Sequence, residues 1–215
     1  MNILITGVNS GIGHATAKLL VAKGHNVIGS VRGSSLEEKG IDGVGYVVMD
    51  MTKPTSIEKG WGKALELCNG NIDCIFLNAG YGAPGAVEDI EWATLEGQFR
   101  CNVFGAHMVM KQFIKHKGHS AGGHIIVNSS VLGFFPIAYR GAYSASKHAL
   151  EGLVGSLGAE LKRIKSSINL SVIQPGPIKT GFRERSLFEL KRIKQSKTYY
   201  ADYLGLESRL SSDEW

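Results

Sequence analysis

Short apolar runs alternate with longer segments of helical periodicity along the 215 residues. Six runs have the continuous apolar character of strands that are buried on both faces: residues 2–6, 26–31, 45–49, 72–77, 124–128 and 168–173. Four segments between them have the period of helices: residues 12–23, 54–68, 95–117 and 142–165. This alternation predicts right-handed βαβ units. We therefore expect an α/β fold, a three-layer doubly wound parallel sheet (Rossmann fold) of six or seven strands.

The composition fits one globular domain. Hydrophobic residues make up 43% of the chain and charged residues 20%. A chain of 215 residues can fold around a single hydrophobic core. We therefore expect a single domain over residues 1–215. The formal net charge of +5 is spread along the chain, apart from one dense basic run at residues 191–197 that we interpret as a solvated helix face. No motif indicates a nucleic-acid partner.

Neither export nor a membrane span is predicted. A strand is expected from residue 2 onward, where a signal peptide would need a charged and then an apolar region. No segment approaches the roughly 20 apolar residues of a spanning helix. Cys68, Cys74 and Cys101 have no metal-ligand spacing. The expectation is a reducing, cytoplasmic setting and no metal site.

A glycine-rich turn follows the first predicted strand and opens a helix. It consists of Thr6-Gly7-Val8-Asn9-Ser10-Gly11-Ile12-Gly13. Glycine allows the backbone to approach a pyrophosphate, and the N–H groups at a helix N-terminus favour its negative charge. The strand–turn–helix context favours this role over a plain tight turn. The candidate dinucleotide contacts in this turn are Gly7, Asn9, Ser10, Gly11 and Ile12.

The ends of the second and third strands bear on which dinucleotide binds. Arg32 stands where a carboxylate would bind the ribose 2′-hydroxyl of NAD, and its guanidinium suits a 2′-phosphate. NADP(H) is therefore favoured, with NAD(H) as the alternative, although an exposed loop arginine would have the same sequence. Asp50 either bonds the adenine edge or starts the turn before Pro54.

Tyr143 and Lys147 stand four residues apart at the start of a predicted helix, and thus lie on one helix face. A nearby ammonium favours the phenolate and lowers the pKa of a tyrosine from about 10 toward working pH, as a general acid/base requires. A packed tyrosine beside a surface lysine would show the same spacing. The polar residues that accompany the pair favour the catalytic interpretation.

Those companions follow predicted strands or lie in the helix between them. Ser130 closes the fifth strand and either donates a hydrogen bond to a substrate oxygen or caps the loop. Asn78, Ala79 and Gly80 follow the fourth strand and would wall the cofactor cleft. Asn102 lies among apolar residues of the next helix, where its amide needs a partner. It is a candidate structural bridge or proton relay.

With these residues assembled, the chain resembles the single-domain branch of the short-chain dehydrogenases/reductases over residues 2–182. The glycine turn, the Asn-Ala-Gly segment and a catalytic tetrad match the family pattern, the tetrad being Asn102, Ser130, Tyr143 and Lys147. The resemblance implies that Tyr143 exchanges a proton with the substrate oxygen, which Ser130 orients. It also implies that Lys147 tunes Tyr143 and holds the nicotinamide ribose, while Asn102 holds a water that links Lys147 to solvent.

The segment after the sixth strand resembles the one that closes over the nicotinamide in this family, and consists of Pro175-Gly176-Pro177-Ile178-Lys179-Thr180. The resemblance implies that Ile178 and Thr180 contact the carboxamide, and that Pro175 and Gly176 also line the cofactor site. One departure concerns Ser10, because many NADP-preferring relatives carry Lys or Arg just before the second glycine of the turn.

Substrate and assembly are less defined. Residues 143–153 are similar to hydroxysteroid and retinol dehydrogenase-like members, which does not identify a substrate. Aromatic residues in segments 132–136 and 182–190 form either an apolar lid over the cleft or core and dimer contacts. We assign residues 182–215 to the lid and a C-terminal helical segment, because no seventh strand is evident. A homodimer is predicted through the two long helices, using Val103, Ala106, Val109, Ala149, Leu153 and Leu157.

The sequence therefore predicts an oxidoreductase that moves a hydride between NADP(H), or NAD(H), and an apolar carbonyl or secondary alcohol substrate. The alternative is a non-catalytic NADP(H)-binding sensor or scaffold, which has no use for an acid/base pair. An epimerase or dehydratase with the same Tyr/Lys pair is disfavoured, because the related sugar-nucleotide enzymes carry a larger C-terminal domain.

Overall fold

The sheet has the predicted doubly wound topology. The computed structural model describes residues 1–33, 40–193, 195 and 197–212. Its parallel strands are β1 Asn2–Thr6, β2 Asn26–Val31, β3 Val44–Val48, β4 Cys74–Leu77, β5 Gly123–Asn128 and β6 Ile168–Ile173. Their order is β3-β2-β1-β4-β5-β6, so the direction of winding reverses between β1 and β4. The described residues thus form a sheet of six strands, and the predicted fold class is confirmed.

Seven α-helices surround the sheet or follow it: α1 Gly11–Ala22, α2 Pro54–Leu67, α3 Trp92–Phe99, α4 Ala106–Lys117, α5 Gly141–Arg163, α6 Phe182–Leu190 and α7 Tyr200–Ser211, all within the described ranges. The helix predicted at residues 95–117 is inexact, because it begins at Trp92 and a π-helical turn, Arg100–Gly105, separates α3 from α4. Gly105 in this turn packs so closely that a Cβ would lie 2.4 Å from the Met51 carbonyl oxygen.

Alternating side chains of the strands supply two cores, one on each face of the sheet. In β1, Leu4 packs on the face that carries α2, α4 and α5. Ile3 and Ile5 pack on the opposite face with Ala17 of α1. A third, smaller cluster joins α6 and α7 to the loop after β4 through Leu190, Tyr203, Leu206, Leu210 and Ala86. The C-terminal helices are therefore held on the side of the molecule where β4 ends.

The dimer face predicted from sequence is partly wrong. Val103, Ala106 and Val109 are buried within this chain, and two of them belong to the core formed with α2. These three side chains pack inside the monomer and therefore offer no apolar surface to a partner subunit. Leu153 remains exposed on α5.

Three properties of the described residues bear on chemistry and location. Cys68, Cys74 and Cys101 are free thiols, and burial raises the pKa of both Cys74 and Cys101 to about 11. No group of three or more His, Cys, Asp or Glu side chains in this part of the chain could hold a metal ion. None of the helices described combines the length and the apolar character needed to cross a bilayer.

We expect Gly13→Ala to destabilise the fold by about 1–3 kcal/mol, the usual cost of overpacking. A Cβ at this position would lie 2.2 Å from the Gly7 carbonyl oxygen and 2.4 Å from Asn78 Nδ2. Urea unfolding measures the effect. Gly62→Ala is the matched control, because open space surrounds Gly62 in α2. There, alanine should raise the free energy of unfolding by about 0.5–1 kcal/mol. Equal effects of both substitutions would contradict the close packing of α1.

Candidate active site

The turn between β1 and α1 has a backbone that requires glycine. Gly7 and Gly11 have φ of +72° and +58°, in the left-handed region that glycine adopts without strain. The Gly7 N–H donates to the Ser30 carbonyl oxygen at 3.1 Å, which anchors the turn to β2. Within the described residues, the N-cap Ser10 makes no side-chain capping bond. The N–H groups of the first turn of α1 are therefore available to an anion.

The side chain of Asn78 braces this turn. Its Nδ2 donates to the carbonyl oxygens of Thr6 at 3.0 Å and Gly7 at 2.9 Å. Its backbone N–H donates to Thr6 Oγ1 at 2.9 Å. On the other side, Asn128 Nδ2 donates to Asn78 Oδ1 at 2.9 Å. Asn78 thereby connects the carboxyl ends of β1, β4 and β5.

Tyr143, Lys147 and Ser130 meet at the same edge of the sheet. Tyr143 and Lys147 lie on one face of α5 and are only 8% and 5% exposed. Lys147 Nζ lies 5.7 Å from the centre of the Tyr143 ring and donates to the Asn128 carbonyl oxygen at 2.7 Å. A side-chain hydrogen bond joins Ser130 to Tyr143, and the Ser130 hydroxyl accepts from the Leu132 N–H at 3.1 Å. The structure thus brings these three predicted residues together.

Asn102 occupies the π-helical turn and has the partners that its burial requires. Its Nδ2 donates to the Tyr81 carbonyl oxygen and to Ser146 Oγ, each at 3.0 Å. Its Oδ1 accepts from the Tyr81 N–H at 3.2 Å. The wider π turn is a local feature common at functional sites. Asn102 is therefore a bridge between the loop after β4 and α5, while its role as a proton relay stays a prediction.

Burial acts in opposite directions on the two titratable groups. It lowers the pKa of Lys147 to about 8, although the charges of Cys101 and Glu151 raise that pKa. It raises the pKa of Tyr143, which the hydrogen bond from Ser130 and the charge of Arg140 lower. The sequence predicted that Lys147 would lower the pKa of Tyr143, whereas Arg140 supplies that charge here. At neutral pH Tyr143 is therefore a neutral phenol, able to act as an acid.

The residues predicted to select the dinucleotide lie at the rim. Arg32 is exposed directly after β2. Asp50 accepts from the Thr52 N–H at 3.0 Å and the Thr52 hydroxyl at 2.7 Å, which supports its role in the turn before α2. Burial raises the pKa of Asp50, but the Thr52 bonds and the charges of Lys53 and Arg32 outweigh it and lower the pKa. Arg32 and Asp50 thus share one edge.

The segment after β6 returns to the glycine turn. The Thr180 side chain lies 3.3 Å from the position that a Cβ of Gly11 would take. The Pro175 carbonyl oxygen accepts from the Val131 N–H at 3.1 Å, which ties the segment to the loop that follows Ser130. Ile178 is half exposed between these anchors. The stretch from Pro175 to Thr180 therefore spans from the glycine turn to the loop that follows Ser130.

Sequence reasoning missed Gln98 and Arg140, whereas Phe182 belongs to the segment 182–190, whose aromatic residues were predicted to form either an apolar lid or core and dimer contacts. Phe182 of α6 packs on the Tyr143 ring with 5.4 Å between ring centres. Gln98 is fully buried in α3, accepts from the Ala83 N–H at 2.8 Å and donates to the Tyr81 carbonyl oxygen. Arg140 is the N-cap residue of α5. A polar residue inside an apolar helix, the signal that indicated Asn102, would have found Gln98.

Known proteins match this fold and this pattern. Residues 1–189 match the family model described as short chain dehydrogenase. The chain is 36% identical over 185 residues to the uncharacterized oxidoreductase YbbO of Escherichia coli (strain K12), covering 85% of this chain and 68% of the relative. It is 30% identical over 195 residues to retinol dehydrogenase 8 of Homo sapiens, covering 87% of this chain and 62% of that protein.

A solved structure is similar in fold along the whole chain. The short chain dehydrogenase/reductase from Burkholderia phymatum in complex with NAD has a TM-score of 0.82 at 23% sequence identity, covering 100% of this chain and 80% of that chain. At this identity the likeness concerns the fold alone. The family match and the named oxidoreductase relatives identify a nicotinamide-dependent dehydrogenase or reductase. The chain belongs to the short-chain dehydrogenase family, and the resemblance predicted from its residues is confirmed.

We expect Lys147→Met to remove a pH dependence from the free energy of unfolding. Unfolded, Lys147 has a pKa of about 10.4, whereas burial lowers it to about 8 in the fold. Between these values the unfolded state binds a proton that the folded state lacks. The wild-type protein therefore gains stability as pH rises through this window, by at most about 1.4 kcal/mol per pH unit.

Urea unfolding at several pH values across the window measures this dependence as the difference between wild type and Lys147→Met. Subtracting the two curves removes the contribution of the cysteines and tyrosines that titrate nearby. Lys63→Met is the control, because Lys63 is exposed and paired only with Glu66 in the described chain. Its difference from wild type should stay constant with pH. A constant difference for Lys147→Met as well would contradict the burial of the ammonium.

Proposed function

We propose that this enzyme transfers a hydride between NADP(H) and a carbonyl or secondary alcohol carbon. The observation that carries the proposal is the junction of two groups of residues by hydrogen bonds. Lys147 is bonded to Asn128, Asn128 to Asn78, and Asn78 to the glycine turn at Gly7. An acid/base pair and an anion-binding turn thus share one edge of the sheet, which a sensor or scaffold would not need.

The residues at this edge fit a dinucleotide. Gly7 and Gly11 have the left-handed φ that a phosphate-binding turn uses, and α1 offers uncapped N–H groups. When bound, the nicotinamide supplies or accepts the hydride of the reaction. The residues proposed to hold the dinucleotide are Gly7, Asn9, Ser10, Gly11, Ile12, Arg32, Asp50, Asn78, Ala79, Gly80, Tyr143, Lys147, Pro175, Gly176, Ile178 and Thr180.

In the direction of reduction, the Tyr143 phenol donates its proton to the substrate oxygen. Burial raises the pKa of Tyr143 and so keeps the proton on the phenol at neutral pH. Ser130, which is hydrogen-bonded to Tyr143, would turn its hydroxyl proton to the same substrate oxygen and orient it. The charge of Arg140, which lowers the pKa of Tyr143, stabilises the phenolate that remains, and Asn128 holds the Lys147 ammonium beside the Tyr143 ring. Asn102 fixes the loop after β4 against α5.

Arg32 supports NADP(H) over NAD(H). Arg32 is exposed directly after β2, where a 2′-phosphate would lie. No acidic residue ends β2, since Val31 is followed by Arg32 and Gly33. The similar structure with bound NAD shows that the fold also accepts the other dinucleotide, so the preference depends on this side chain.

An apolar substrate, a cytoplasmic location and a homodimer complete the proposal. Phe182 covers the Tyr143 ring, and Phe135, 72% exposed, follows Ser130 in the loop after β5. The similarity to a retinol dehydrogenase, whose name indicates an apolar alcohol, agrees with these side chains. The free cysteines support a reducing compartment. Phe104 and Leu153, which are 55% and 41% exposed, are the apolar candidates for a dimer face.

We expect Tyr143→Phe to lower kcat for carbonyl reduction by roughly a hundredfold to ten-thousandfold, the usual contribution of a positioned acid. The ring, its contact with Phe182 and the fold remain, so NADPH should bind with nearly unchanged Kd. Steady-state kinetics on a panel of apolar ketones and aldehydes, with a parallel fluorescence titration, measures both. Turnover equal to wild type would refute the assignment of Tyr143.

We expect wild-type protein to bind NADPH more tightly than NADH, and Arg32→Ala to abolish that preference. A charge-assisted bond to phosphate should be worth roughly a tenfold to hundredfold difference in Kd. Fluorescence titrations with both dinucleotides measure it. Arg163→Ala, which removes an exposed arginine at the far end of α5, should leave both Kd values unchanged. A wild-type preference for NADH would show that Arg32 is only a loop residue.

A further inference from the structure

Arg140 is a cation placed beside the proposed acid. It is the N-cap residue of α5 and stands three residues before Tyr143, which places the two side chains on neighbouring positions of the helix start. The loop before it is fixed, because the Gly85 N–H donates to the Tyr139 carbonyl oxygen at 2.9 Å and residues 85 and 140 form a β-bridge. The guanidinium is thus held near Tyr143 by ordered backbone.

The guanidinium lacks a partner that its burial demands. Nη1 of Arg140 is buried and makes no hydrogen bond in the described structure. Among the described residues no carboxylate forms an ion pair with it. Two acidic side chains on neighbouring elements are bonded to tyrosines, Asp89 to Tyr203 and Asp202 to Tyr139. A buried charged donor without an acceptor is costly, so the position favours an anion from outside the described chain.

Two further arginines approach the same place from α6 and α7. Arg183 follows Phe182, the residue that packs on the Tyr143 ring. Its Nη1 donates to the Ser212 carbonyl oxygen at 3.3 Å, which brings the end of α7 alongside, and Arg209 lies in the last turn of that helix. Burial lowers the pKa of Arg140, and the charges of Arg209 and Arg183 lower it further. Three guanidinium groups, those of Arg140, Arg183 and Arg209, therefore lie at one side of Tyr143.

We propose that Arg140, with Arg183 and Arg209 around it, binds an anionic group of the substrate while Tyr143 acts on the carbonyl. The substrate class is then an apolar carbonyl compound that bears a carboxylate or a phosphate ester. A guanidinium can bind either group through two parallel hydrogen bonds. The inference rests on the proposed function for the carbonyl chemistry, but the anion site itself is measurable without turnover.

Calorimetric titration of the purified protein, with and without NADPH, tests the site directly with benzoate, phenyl phosphate and benzyl alcohol. At least one anion should bind about tenfold more tightly than the alcohol, and the tighter of the two identifies carboxylate or phosphate ester as the recognised group. Arg140→Gln should remove the difference, and Arg163→Gln should keep it. Anions that bind no better than benzyl alcohol, or equally well to Arg140→Gln, overturn the proposal.

Arg209→Gln provides a second variant should Arg140→Gln fail to fold. Arg209 is exposed, so its replacement leaves the core intact, and we expect about threefold weaker binding of the preferred anion through loss of a nearby charge. Benzyl alcohol binding should not change. Unchanged anion binding in Arg209→Gln would contradict the gathering of charges described above.

Turnover then separates this role from an effect on Tyr143. With NADPH, wild type should reduce 4-carboxybenzaldehyde with about tenfold higher kcat/KM than its neutral methyl ester. Arg140→Gln should equalise the two, because a loss that acts through Tyr143 lowers both aldehydes by the same factor, whereas loss of the anion contact lowers the acid further. An equal loss for both aldehydes would show that Arg140 acts through Tyr143 and overturn the proposal. If wild type reduces neither aldehyde, the carbonyl chemistry fails, while the calorimetry still decides the anion site.

Discussion

The amide of Asn78 connects the two halves of the site. It holds the glycine turn through the carbonyl oxygens of Thr6 and Gly7, and it accepts the amide of Asn128, whose own carbonyl oxygen receives the Lys147 ammonium. One chain of hydrogen bonds therefore runs from the turn proposed to bind the pyrophosphate to the helix that carries the proposed acid/base. In a partly buried network of this kind each bond can strengthen its neighbours. A displacement of Asn78 would move the turn and Lys147 together.

Burial makes this arrangement chemically useful as well as rigid. Removing water raises the pKa of Tyr143 and lowers the pKa of Lys147 to about 8. The phenol consequently keeps its proton, while the ammonium is close to losing its own. The Asn128 carbonyl oxygen, at 2.7 Å, favours the charged form of Lys147 and opposes the loss. The same desolvation would strongly destabilise the charged form of a lysine without a hydrogen-bond acceptor. Asn128, and the residues that hold it in place, are therefore needed to keep the Lys147 ammonium charged.

Local patterns carried most of the prediction. Buried parallel strands are continuous apolar runs, and Tyr143 with Lys147 is a contact between successive helix turns, so both are visible in short stretches of sequence. The π-helical turn at Arg100–Gly105 cannot be recognised in a short stretch of sequence. It depends on contacts with Met51 and Tyr81, two residues that are distant from it in the chain. The apolar excess of α4 was misinterpreted for a related reason. A sequence shows that Val109 is apolar but not that α2 already covers it.

The surroundings of Tyr143 combine two demands that few ligands meet together. Phe182 covers the ring and offers apolar surface, while Arg140, a turn earlier on the same helix, leaves a buried N–H without an acceptor. A wholly apolar ligand would exclude more water and deepen the cost of that unpaired donor. A small, fully hydrated anion would pair with the arginine but leave Phe182 in water. Only a ligand with an apolar body and one anionic group lowers both costs, and its carbonyl would then lie between the two, at Tyr143.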